Sequence, residues 1–185
     1  MRLDYIKEKE SLRRSWQNPE ETLRRIGLRK GHNFLDVGCG YGFFTLPASR
    51  IVGKQGRVFG VDINEPAIEM IQHRLKEENL DATLSVARAE EKIFCQGCMD
   101  IVFFSIVLHD FENQHKVLSN TRKMIKGTGI LVNIDWKKKP LPLGPPLEKK
   151  FSPQHAISLI QDSGFRVVET VDDHRYLYTI IAKPK

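Results

Sequence analysis

Long apolar runs are missing from this chain. None approaches the roughly 20 residues that cross a bilayer, so no membrane partner is expected. Residues 1–16 carry Arg2, Asp4, Lys7, Glu8, Lys9, Glu10, Arg13 and Arg14, where a secretory leader needs an apolar core. A cytoplasmic protein is expected. Cysteine is scarce: Cys39, Cys95 and Cys98 suit a reducing compartment rather than a disulfide scaffold. Zinc asks for four ligands, and no second pair stands ready to complete Cys95-Gln-Gly-Cys98, so no metal is expected. The pair reads first as two loop thiols, with a strained or redox-active disulfide as the alternative. Repeats and low-complexity tracts are absent too.

What is present fits one domain. The 185 residues are enough to bury roughly two thirds of the unfolded surface, so the core needs no staples. A single domain over 1–185 is expected, with a helical cap at 1–30 and a proline- and lysine-rich loop at 137–150. The net charge of +6 favours anionic partners through steering rather than through fold. Part of it is local, in Lys137, Lys138, Lys139, Lys149 and Lys150. That run reads as a solvated loop or as a contact for an anionic substrate or RNA.

Helix and strand signals alternate along the chain. A charged helix over 3–15 is followed by one with Asn18 as cap, Pro19 at its first position and Glu21 at the capping-box position, stopping at Gly27. Residues 33–37 read as a buried strand and 43–51 as a helix. Next come a strand at 57–62, a helix at 66–78 capped by Asn64, and a weaker strand at 83–87. The almost wholly apolar 100–105 marks a central strand covered on both faces. A helix over 115–125 and a strand over 129–135 follow. Pro140, Pro142, Pro145 and Pro146 make the next segment a loop. Ser152-Pro153 opens a last helix that ends at Gly164. Strands at 166–171 and 176–182, joined by a turn at Asp172-Asp173, are too closely connected to be anything but antiparallel. The pattern predicts an α/β fold of three layers, α/β/α, with a mostly parallel seven-stranded sheet and an antiparallel last strand.

Ligands of such sheets sit beyond the carboxyl ends of the strands. There the first strand gives Asp-Val-Gly-Cys-Gly-Tyr-Gly at 36–42, a turn in which glycine lets the backbone bend sharply and approach a ligand. The helix that follows offers free N–H groups at its start. The second strand ends in Asp62, placed to accept hydrogen bonds from two ribose hydroxyls.

These residues resemble the S-adenosylmethionine (SAM) signature of the Rossmann-like, seven-stranded methyltransferases. The resemblance runs over 33–183 and is nearest to the small quinone-biosynthesis-type C-methyltransferases. It implies SAM as cofactor, with Gly38 and Gly40 beneath the methionine part, Asp36 near its amino group, and Cys39 and Gly42 as further cofactor-binding residues. It also implies Asp62 on the ribose, with Ile63 and Ser105 as further cofactor-binding residues. Ala89 would stand beside the adenine, but Arg88 replaces the family's usual acid there. A backbone carbonyl or Glu90 would then meet the exocyclic amine. In the family the Leu-His pair at 108–109 lines the transfer site. His109 is thus a candidate general base and, with Asp110 and Trp136, a candidate substrate contact. Taken alone, His109 reads equally as a packed histidine, and Trp136 as a cover for a pocket or a roof over the core.

The function this implies is methyl transfer from SAM to a small-molecule acceptor. An RNA or protein methyltransferase using the lysine loop is the alternative, although no aromatic-basic RNA platform is visible. A SAM-binding protein without catalysis is a third reading. NAD is disfavoured by Gly-x-Gly-x-Gly spacing where Gly-x-Gly-x-x-Gly is usual. A monomer or a homodimer is expected.

Overall fold

The computed structural model describes residues 3–172 and 174–185, with side chains from residue 6 onward. Seven strands form one mixed sheet in the order β3-β2-β1-β4-β5-β7-β6. They are β1 (Asn33–Val37), β2 (Arg57–Asp62), β3 (Thr83–Val86), β4 (Met99–Ser105), β5 (Ile125–Trp136), β6 (Phe165–Val171) and β7 (Leu177–Pro184). The helices are α1 (Leu3–Arg14), α2 (Pro19–Arg25), α3 (Thr45–Val52), α4 (Glu65–Glu77), α5 (Gln114–Met124) and α6 (Pro153–Asp162). Among the described residues no helix is long and apolar enough to cross a membrane. The chain divides into two compact units, Met1–Val86 and Ala87–Lys185.

In the first unit, β1, β2 and β3 pair in parallel. Phe34, Leu35 and Val58 on these strands are at most 1% exposed, which accounts for the largely apolar strands, interrupted in β1 by the buried Asp36. The expected caps form: Asn18 Oδ1 accepts from Glu21 N at 3.1 Å, and Asn64 Oδ1 from Ala67 N at 3.2 Å. Gly27 takes a left-handed φ of +84° just past α2. Cys39, Leu46, Ile68, Ile71 and Leu75 make a second apolar cluster, joining the glycine turn to α3 and α4. Helix α3 starts at Thr45, later than its apolar spacing suggests, because turn residues occupy the positions through Phe44. Helix α1 is tied down by charge, with Arg74 Nη1 donating to Glu10 Oε2 at 3.0 Å.

In the second unit β4 runs parallel to β5, and β7 runs antiparallel to both β5 and β6. Ile101, Val102, Phe103 and Phe104 are buried. Strand β5 is longer than the sequence suggests, following α5 directly at Ile125. Its early part bends around an irregularity opposite Met99 and Ile101. Gly129 permits the close approach: a Cβ there would lie 2.8 Å from Met99 O. Of the expected turn at Asp172-Asp173, Asp173 lies outside the described residues. Cys95 and Cys98 are joined as a disulfide, where two loop thiols were the first expectation.

Candidate functional site

The candidate residues fall into two groups, one in each unit. In the first, the turn after β1 is built by glycine: Gly38, Gly40 and Gly42 have φ of +71°, +50° and +83°, values that L side chains rarely adopt. Gly38 N and Cys39 N both donate to Val61 O, at 2.8 and 3.1 Å, which fastens the turn to the end of β2. Gly40 N then donates to Asp62 Oδ2 at 2.8 Å, while Asn64 N donates to Asp62 Oδ1 at 2.9 Å. Each Asp62 oxygen keeps lone-pair capacity beyond these bonds. Beside it Ile63 is 72% exposed, an apolar surface with no core to join. A Cβ on Gly40 would meet nothing within 4 Å. The start of α3 is not the reservoir of free N–H groups expected from the sequence. Leu46 N already donates to Gly42 O, and Pro47 has no N–H.

Asp36 is 3% exposed, and its Oδ2 accepts from Thr45 Oγ1 at 2.7 Å. Burial pushes its pKa up to about 7, against the pull of the Thr45 hydrogen bond and the charge of Arg13. Arg13 is half-buried, and desolvation lowers its pKa to about 10 despite Asp36 and Glu10. Its guanidinium lies 4.1 Å from the Phe43 ring centre, a cation–π contact. Arg13 and Thr45 are residues that sequence reasoning missed. Thr45 had a signal, being the first helical residue after the turn. Arg13 had none, because its link to Asp36 is made only in the folded unit. The Cys39 thiol is buried in the same place and its pKa is driven far up, chiefly by burial and then by Asp36 and Asp62.

In the second unit Ala89 and Glu90 are held by their carbonyls: Asn120 Nδ2 of α5 donates to Ala89 O at 3.2 Å and to Glu90 O at 2.7 Å. Arg88 turns to the surface, where Arg88 Nη2 meets Glu112 Oε2 at 2.7 Å. Ser105 is half-buried at the end of β4. After it Ile106 adopts φ +59°, a left-handed position that a β-branched residue pays about 1–3 kcal/mol to occupy. Ile106 N donates to Ile134 O at 2.7 Å, pinning this sharp bend to β5.

The bend leads to His109, whose side chain is 2% exposed. Its Nδ1 lies 2.8 Å from Asp135 Oδ1 and 3.0 Å from Asp135 Oδ2. Asp135, 1% exposed, also accepts from Trp136 N at 2.8 Å. With Nδ1 so engaged, Nε2 is the atom left to exchange a proton; Asp110 Oδ1 stands 3.6 Å from it. Burial opposes a charge on the ring, but the Asp135 hydrogen bond and charge, with Asp110, more than offset it. The His109 pKa is therefore raised above its ordinary value. Tyr178 pairs with Asp135 across the ladder, and burial beside that carboxylate keeps its phenol protonated. The sequence ended a strand at residue 135 but gave no sign that Asp135 would hold His109.

The loop after β5 folds over this pair. Gly144 rests on the Trp136 indole, where a Cβ would stand 2.7 Å from the ring, and its φ of +89° again calls for glycine. Lys150 is 2% exposed; its Nζ donates to Lys139 O at 3.2 Å and lies 5.9 Å from the Trp136 ring centre. Phe151 packs edge-on toward His109, with ring centres 6.4 Å apart. Lys137 pairs with Asp172. Among the described residues no three His, Cys, Asp or Glu side chains converge to hold a metal ion.

Comparison with known proteins gives one family. Its model, described as a methyltransferase domain, matches residues 28–183. The ubiquinone/menaquinone biosynthesis C-methyltransferase UbiE of Yersinia pestis (strain Pestoides F) is 29% identical over 158 residues, covering 84% of this chain and 61% of the relative. The chain thus spans about three fifths of the length of such curated relatives. A SAM-dependent methyltransferase from Aquifex aeolicus has a crystal structure that superposes over all of both chains with a TM-score of 0.90 and 26% identity. The geranyl diphosphate C-methyltransferase of Streptomyces coelicolor A3(2) shares the fold, with a TM-score of 0.74 and 18% identity over 90% of this chain and 75% of that one.

Proposed function

The chain belongs to the methyltransferase-domain family, and on that premise we propose that it transfers a methyl group from SAM to a small-molecule acceptor. The observation that carries the reading is the grip of the glycine turn on Asp62, with the Ile63 side chain exposed next to it. A ribose needs a carboxylate with free lone pairs, and a purine needs an apolar face. Both stand side by side here, and the open space at Gly40 leaves room for a ligand against the backbone. The residues therefore fit the cofactor. Asp36, Gly38, Cys39, Gly40, Gly42, Asp62 and Ile63 are assigned to it from the first unit, and Ala89, Glu90 and Ser105 from the second. The domain is read as working over the whole of 1–185, supported by one family model running through both units.

SAM supplies an activated methyl group with a neutral leaving group. The protein's task is then to hold, align and exclude water, and alignment is worth roughly 7–11 kcal/mol of barrier. His109 is assigned to the acceptor: its Nε2 takes a proton where the acceptor must lose one, and Asp135 holds the ring in the tautomer that leaves Nε2 free. Asp110 and Trp136 are assigned to the same acceptor. A phosphate-binding role for the lysine loop is less well supported, since Lys137 and Lys150 are spent on Asp172 and Lys139. Calorimetric titration with S-adenosylhomocysteine tests the cofactor assignment. Micromolar binding that is lost in Asp62→Ala is expected. No binding by the wild-type protein near millimolar concentration would overturn it.

A further inference from the structure

The Cys95–Cys98 bond lies on the segment that joins β3 to β4 and has no part in the chemistry above. The two Cα atoms are 6.1 Å apart, within the range that a disulfide spans without moving the backbone. Gly97, at φ +54°, provides the left-handed step that folds this short ring. Both cysteines are half-buried, and Gln96 and Gly97 between them are exposed, so a small thiol in solution reaches the bond. Both sides of the ring are tied to the end of α5. On the Cys98 side, Gly97 N donates to Lys123 O at 2.9 Å and Cys98 N to Met124 O at 2.8 Å, and β4 begins at the next residue. On the Cys95 side, Phe94 N leans on the soft acceptor Met124 Sδ at 3.3 Å.

A ring closed between residues three apart in sequence restrains little of the unfolded chain, because the effect of a cross-link grows with the loop it closes. Stability is therefore a weak reason for this pair. Cys39 is 5% exposed and its thiol is held protonated by burial, which makes it unreactive toward the same reagents.

We propose that Cys95 and Cys98 form a reversible thiol–disulfide site that exchanges with dithiols and low-molecular-weight thiols. A thiolate of the dithiol attacks one sulfur of the pair. The Cys95–Cys98 bond breaks, and the released cysteine takes a proton from solvent. The second thiol of the reagent then resolves the mixed disulfide. In total two electrons and two protons pass from the dithiol to the protein, leaving two cysteine thiols and one oxidised reagent. With the bond open, Gly97 and Cys98 stay pinned to the end of α5, and residues 91–96 gain freedom. Oxidised glutathione runs the reaction backward: one cysteine forms a mixed disulfide and the other displaces glutathione.

The full chain, without denaturant, decides this. It is treated with dithiothreitol, alkylated with iodoacetamide and mapped by peptide mass spectrometry. Cys95 and Cys98 are expected to gain label together within minutes, with Cys39 labelled only after unfolding. Oxidised glutathione is expected to restore the bond in the wild-type protein. Cys95→Ser and Cys98→Ser should each stop at a glutathione adduct. Amide exchange over 91–96 should rise about tenfold on reduction. A bond that opens only in denaturant, or a reduced pair that stays as glutathione adducts instead of closing, would overturn the proposal.

Discussion

Asp36 and His109 are two buried ionisable groups whose raised pKa values both make the fold less stable as pH rises. The Asp36 carboxyl is held near 7 in the fold, far above its unfolded value, so the fold prefers it protonated. Its destabilising effect is absent below the unfolded pKa and grows as pH climbs toward and past 7. Asp36→Asn is therefore expected to raise the melting temperature at pH 8 by roughly 4–8 °C, the equivalent of about 2 kcal/mol, with no gain near pH 4. Thermal melts at the two pH values check it. His109 acts in the same direction over a higher pH range: its raised pKa stabilises the fold fully below the unfolded value, and that support fades as pH rises through the folded pKa. As a base it works in the neutral form, so kcat should rise with pH through a midpoint above the ordinary histidine value. Asp135→Asn removes the main group that raises the pKa, leaving Asp110 alone against burial, so the midpoint should move down. An NMR titration of the His109 ring gives the same answer without an acceptor. His109→Ala should cost about 10²–10⁴ in kcat, and a loss within about threefold would remove it from the chemistry.

At the scale of elements, glycine decides where chain can meet chain or ligand. Gly40→Ala puts a methyl into open space on a left-handed backbone, at about 1–2 kcal/mol of strain. Its larger effect is expected in calorimetry, as at least a tenfold loss of S-adenosylhomocysteine affinity. Gly144→Ala is a different case: its methyl would drive into the Trp136 ring, so the loop over His109 must lift. Trp136 fluorescence, read in a Trp16→Phe background, should shift toward that of a solvated indole. An unchanged spectrum would mean that the loop yields elsewhere. These contacts also mark what the sequence could and could not tell. Strands β1, β2 and β4 were legible because burial on both faces writes a mostly apolar run, and α2, α4 and α6 because each begins with a side-chain cap. The early part of β5 was not legible. Lys126, Gly127 and Thr128 carry no strand pattern, and they fall where the register with β4 shifts between Ile125 and Ile130. The start of α3 was misjudged because Phe43 and Phe44 have helical spacing yet belong to the turn.

For the whole molecule, the glycine turn and Asp62 were legible because short-range geometry fixes them, and the family comparison agrees with the fold they imply. The surroundings of Asp36 and His109 were not, since Arg13 and Asp135 reach them from distant parts of the sequence. The net charge of +6 pointed two ways. RNA contact by a basic surface would show as affinity falling steeply with salt, with a slope set by the number of phosphates held. The small-molecule reading expects weak RNA binding without that slope. The most direct test is transfer of labelled methyl from SAM into a cell extract, fractionated into small molecules, RNA and protein. Label in the small-molecule fraction, absent with Asp62→Ala, is the predicted result. Label confined to RNA or protein, or no label above the Asp62→Ala background, would contradict it.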